Sequence, residues 1–153
     1  MLILCAALLI GADVDPEPPG GRVQVIASAD WAETRLPPRQ LSKHVVARTP
    51  GELIGRPNLT DARAAKEVAM LAAKYLSVKN VDWDKQMILV VAGGRQPSTG
   101  YRVEVVRVTL QSGTLKVSWK LHKPQNGDDV VTYPATAVLV PAHKGKVTFE
   151  QTK

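Results

Sequence analysis

Polar and apolar positions change period along the chain, and each change predicts a different element. Met87-Ile88-Leu89-Val90-Val91, within 86–92, is an unbroken apolar run, which suits a central strand covered on both faces. Residues 101–110 alternate through Tyr101, Val103 and Val105 and then change phase to Val106, Val108 and Leu110, so a bulge, or a strand that moves between faces, is expected there. Gln111-Ser112-Gly113-Thr114 reads as a tight turn. Beyond it Leu115, Val117, Trp119 and Leu121 alternate with Lys116, Ser118, Lys120 and His122, the pattern of a half-buried strand. Residues 130–133, 135–140 and 146–150 supply further strands, separated by Pro134 and by the turn 141–145.

Upstream the period is different. Ala64, Val68, Leu71 and Tyr75 recur at helical spacing within 60–76, with Thr60 as the expected cap and Asp61 at the positive end of the dipole. Its alanine-rich stripe predicts close packing against a sheet. Short strands are expected at 23–27 and 44–47, the second closed by Pro50-Gly51. Together these elements predict a mainly β fold, an antiparallel β-sandwich with one N-terminal amphipathic α-helix added.

A length of 153 residues allows one core, and 44% hydrophobic with 22% charged residues excludes a wholly disordered chain and a multi-span membrane protein. Leu2 to Ile10 is apolar but too short to cross a bilayer, so no transmembrane segment is expected. With the small residues Gly11-Ala12 behind it, 1–12 reads as a signal peptide and predicts export to the periplasm, cell surface or exterior. Residues 13–21, with three prolines, two glycines and three acids, read as a linker.

The formal charge of +6 is uneven. Lys85, Arg95, Arg102, Arg107, Lys116, Lys120 and Lys123 share the stretch 85–123 with one acid, Glu104. That stretch lacks the stacking aromatics of single-strand binders, so no nucleic-acid partner is expected. Arg35, Arg39, Lys43 and Arg48 form a second basic stretch that reads as a solvated loop.

Catalytic groups are hard to assemble. Cys5, the one cysteine, lies in the signal stretch, and His44, His122 and His143 follow no metal-ligand spacing. Ser98, His122 and Asp128 or Asp129 would make a triad only without the usual strand-to-helix elbow. Asp82 and Asp84 flank Trp83 at a strand entry, and no helix follows Gly93-Gly94 to bind phosphate. The expectation is a non-catalytic binding module with no cofactor and no metal.

What packing leaves unexplained is the loop Gln96-Pro97-Ser98-Thr99-Gly100-Tyr101 between two strong strands. The ordered set Val81-Asp82-Trp83, strand 87–91, Gly94, Pro97 to Tyr101, Lys123-Pro124, Thr132-Tyr133-Pro134 and 138–141 resembles the C-terminal domain of the protease complex subunit PrcB family, over about 81–150. Residues 22–80 fall outside that resemblance. Where the family has Thr-Gly-Gly-Tyr, this chain has Ser98-Thr99-Gly100-Tyr101. The resemblance implies an exported accessory module with a protein partner, in the founding example a subtilisin-like protease. The same loop is similar to the Asn-Pro-Thr-Thr-Gly-Tyr loop of chagasin-type inhibitors, which implies an immunoglobulin-like sandwich and, alternatively, cysteine protease inhibition. Either resemblance nominates Gln96, Pro97, Ser98, Thr99, Gly100 and Tyr101 as partner-binding residues, and the PrcB-like set adds Tyr133 and Pro134.

Overall fold

The computed structural model describes residues 20–32, 36 and 43–153; the predicted signal peptide, most of the predicted linker, and Arg35 and Arg39 lie outside them. In chain order the elements are β1 (Gly21–Arg22), β2 (Ala27–Asp30), β3 (Val45–Ala47), α1 (Pro50–Leu53), α2 (Ala62–Tyr75), β4 (Gln86–Ala92), β5 (Arg102–Gln111), β6 (Thr114–His122), β7 (Ala135–Pro141) and β8 (Val147–Gln151). They form two four-stranded sheets, β1-β5-β6-β8 and β2-β7-β4-β3. The mainly β expectation holds, with β4 inside its sheet. One pairing departs from the antiparallel expectation: β8 runs parallel to β6. The chain leaves β7 in one sheet and crosses at 142–146 to the other, which delivers β8 in the direction of β6.

The unbroken apolar run of β4 has a direct cause. Met87, Leu89 and Val91 point to the second sheet, where they meet Val103, Val108, Leu115, Val117 and Trp119. Ile88, Val90 and Ala92 point the other way, against Leu53 of α1 and Val68, Ala72 and Ala73 of α2. The molecule is therefore three layers, helices on sheet on sheet. The helical layer is a full wall of a second core, and each large side chain in these two cores contributes about 1.5–3 kcal/mol by leaving water. Ala72 and Ala73 bring small buried side chains of α2 into this core, and Trp31 meets Tyr75 edge to face at 6.0 Å.

Local details follow the pattern with five corrections. The expected bulge lies between Val105 and Arg107, and Ser112 and Gly113 both adopt positive φ in the turn joining β5 to β6. The cap of α2, however, is Asp61 and not Thr60; its carboxylate accepts from the Arg63 and Ala64 amides. Pro50-Gly51 does not merely end a strand but opens α1, capped by Thr49. The strand expected over 23–27 is a crossing between sheets: Val23 donates to Val108 O and Ile26 to Leu139 O, and β2 begins only at Ala27. The strand expected over 130–133 is reduced to one bridge, Thr132 with Gln96. Gly21, expected in the linker, pairs with Leu110. Because β2 and β3 pair with β7 and β4, residues 22–80 complete the same sheet that the later part begins.

One long side of the sandwich is latched. The His44 ring stacks on Phe149 at 4.3 Å and meets Trp119 edge-on at 5.4 Å, and its Nδ1 accepts from the Ala92 amide at 3.1 Å. Arg48 reaches across to the carbonyls of His143 and Gly145, so this member of the basic stretch is a structural clasp. Burial holds the His44 pKa below its ordinary 6.5. As the pH falls the unfolded chain takes up this proton before the folded one does. His44 therefore adds a loss of stability that begins near pH 6.5 and grows as the pH drops toward its folded-state pKa. Urea midpoints at pH 7.5 and 5.5 should fall less in His44→Gln than in wild type; equal falls would remove His44 from the acid response.

Candidate functional site

The loop 93–101 is tied to the loop 123–134 at several points. Gln96 and Thr132 exchange both backbone hydrogen bonds, at 2.8 and 3.0 Å. The Thr132 hydroxyl donates to Ser98 O at 2.7 Å, the Thr99 amide donates to Asp128 O at 3.0 Å, and the Asp128 amide donates back to Thr99 Oγ1 at 2.9 Å. At the base, the Gly93 amide donates to Pro134 O and the Gln96 side-chain amide to Gly93 O.

Two glycines make the contact possible. Gly100 has φ +85° and a Cβ there would lie 2.9 Å from Pro124 Cβ, so both backbone and space require glycine. A Cβ on Gly127 would fall against the Thr99 carbonyl oxygen, inside any contact distance, and 3.1 Å from Ser98 Oγ. The result is a doubled loop whose polar groups are largely spent on each other. Such an edge is organised before a partner arrives, which lowers the ordering cost of binding.

Beside it lies a cleft of about 540 Å3. Of the nominated residues, Thr99, Gly100, Tyr101, Tyr133 and Pro134 line this cleft, and both tyrosines are half-buried. Gln96 and Ser98 form the frame, and Pro97 is exposed at the rim. Pro134 is buried, its ring 3.0 Å from where a Gly93 Cβ would stand, so it shapes the wall and offers little free surface. Asp30, Ala32, Arg102, Val131 and Thr132 also line the cleft and were not nominated. The turn Asn126-Gly127-Asp128 carried a recognisable loop signal, but nothing local says that it folds against Thr99.

The distribution of polar groups bears on catalysis. His122 Nε2 pairs with Glu104 Oε2 at 2.5 Å, and among the described residues no hydrogen bond joins it to Ser98, Asp128 or Asp129. Among the described residues no three His, Cys, Asp or Glu side chains are gathered as for a metal ion. No helix among them is long and apolar enough to cross a membrane.

The strands that carry the doubled loop are also the ones that relate the chain to known proteins. Residues 87–141 match the PrcB C-terminal family. The matched PrcB C-terminal stretch runs from β4 to β7, so it contains both loops, the β5–β6 hairpin and the wall between the two cores. It is narrower than the 81–150 over which the ordered motifs resemble that family. It leaves β1, β2, β3, both helices and β8 outside. No curated protein and no solved structure matches the chain.

Proposed function

We propose that the protein is an exported, non-catalytic accessory module that docks on a secreted subtilisin-like protease through the doubled loop, with Pro97 to Tyr101 and Tyr133 as the contact edge. The observation that carries this reading is the convergence of Thr99, Gly100, Tyr101 and Tyr133 on one cleft beside a pre-tied loop. The PrcB C-terminal match supports the protease-associated part of it. Tyrosine at the margin of a cleft supplies a large contact area at low entropic cost, and such residues dominate interface energies.

The test is capture from an envelope extract of the native cell, with the recovered proteins identified by mass spectrometry. A subtilisin-like protease is expected with the wild type, and Tyr133→Ala should weaken its capture by about thirtyfold, the equivalent of ~2 kcal/mol at an interface anchor. Recovery of no protease, or Tyr133→Ala and Thr99→Ala behaving as wild type, would overturn the proposal. Assay against papain-type enzymes separates the inhibitor alternative, since the accessory reading expects their activity to be unchanged.

A further inference from the structure

The side of the sandwich opposite the His44 latch is open, and the strand on it is only half paired. β1 covers β5 at Leu110 and Thr109, the Val23 amide reaches Val108 O, and the chain then leaves for the other sheet. Among the described residues, 102–107 of β5 thus have β6 on one side and no strand on the other. Val103 O faces that open side, where it accepts the Thr136 hydroxyl at 2.5 Å. Strand alternation then turns the main-chain groups of Val105 the same way.

Three cavities run together along this edge. The cleft of about 540 Å3 beside the doubled loop shares Asp30 and Arg102 with one of about 570 Å3. That one shares Arg22, Val25 and Val106 with a third of about 410 Å3. Its floor includes the buried Val103 and Val138, while Val25 and Val106 stand 37% and 45% exposed around it. The groove is apolar at its base and cationic at its rim: Arg22, Arg102 and Arg107 line it, and none is ion-paired among the described residues. The two carboxylates on the same lining are engaged, Asp30 with the Ala32 amide at 2.9 Å and Glu104 with His122.

We infer that this groove takes an extended segment of a partner protein, about six residues long, in which acidic side chains alternate with apolar ones. The inference rests on the protein-binding reading above and adds where the partner's main chain runs and what it carries. Six residues at roughly 3.3 Å each match the unpaired length of β5. Hydrogen bonds to the main-chain groups of Val105, which the Thr136 hydroxyl leaves open, supply affinity, alternate side chains enter the apolar floor, and the remaining carboxylates meet the arginines. The bulge at Val106 and the charges flanking it block open-ended sheet growth, so the edge accepts a short segment and not a stack of copies of this chain.

The experiment uses the labelled peptide Glu-Val-Glu-Val-Glu-Val-Glu and its lysine counterpart, titrated by fluorescence anisotropy at low salt. The acidic peptide is expected to bind and the lysine peptide not to. Arg22→Glu with Arg102→Glu should weaken the acidic peptide by about tenfold or more and admit the lysine peptide, with the melting temperature checked for both proteins. Amide exchange at Val105 should slow on binding. Equal affinity for both peptides, no binding up to millimolar peptide, or protection confined to other strands overturns the inference. So does an unchanged affinity in the double variant. Should that variant fail to fold, Arg102→Gln alone, expected to weaken the acidic peptide about threefold, decides the matter. Protease capture that persists in the wild type without peptide binding would sink the groove and leave the docking edge standing; peptide binding without capture would do the reverse.

Discussion

Gly127→Ala is expected to pull the doubled loop apart while leaving the three-layer body folded. The added methyl group meets the Thr99 carbonyl, which is backbone and cannot swing aside, so the 123–134 loop must retreat. Retreat breaks the pair of hydrogen bonds between Thr99 and Asp128 and loosens those of Thr132 to Gln96 and Ser98. Overpacking of this kind costs about 1–3 kcal/mol. The cost is local, because neither loop contributes to the two cores. Faster amide exchange at Thr99 and Thr132, with little change in the β4 amides, is the expected signature. Protease capture should fall with it by tenfold or more. Unaltered exchange at both threonines would mean that the loops are not held by this contact.

Ile88→Ala and Leu89→Ala should be almost equally damaging, and that equality tests the layer order. The two side chains are adjacent on β4, fully buried, and point to opposite cores. Truncating either leaves a cavity worth about 2–5 kcal/mol, enough to lower the melting temperature by roughly 10 °C. Were the helices a loose appendage, Ile88→Ala would be mild. Met70→Ala on the exposed face of α2 is the control and should change stability by no more than about 0.5 kcal/mol. A large difference between the two β4 variants would remove the helical layer from the cooperative unit.

Period was the informative signal for the body of the fold. The run 87–91 showed a strand buried on both faces because no polar residue interrupts it, and the phase change after Val105 showed the bulge because each half keeps its own alternation. The third layer was harder to see. An alanine-rich helix face shows that α2 packs closely but not that it closes a second core, which depends on the even-numbered residues of β4 finding Leu53, Val68 and Ala72 across the chain. The crossing at Gln24 to Ile26 was equally hidden, since apolar residues there read as one strand while their backbone partners belong to different sheets. At the candidate site, the loop 96–101 stood out by composition. Its counterpart did not, because the clamp between Thr99 and Asp128 joins residues 29 apart, and three of its four groups are main-chain groups that every sequence possesses, the Thr99 hydroxyl being the fourth. Asp30 entered the cleft for the same kind of reason, brought there by the pairing of β2 with β7 and not by any local motif.

The position of β1 also gives the molecule a polarity. It joins β5 at Leu110 and Thr109, whereas the doubled loop precedes Arg102 at the other end of the same strand. Ten residues of strand span roughly 30 Å. The chain entering at Gly20 and the edge proposed to meet a protease therefore stand at opposite poles. A surface fixed to the entering end would hold the loops outward, pointing away from it by most of the domain's length.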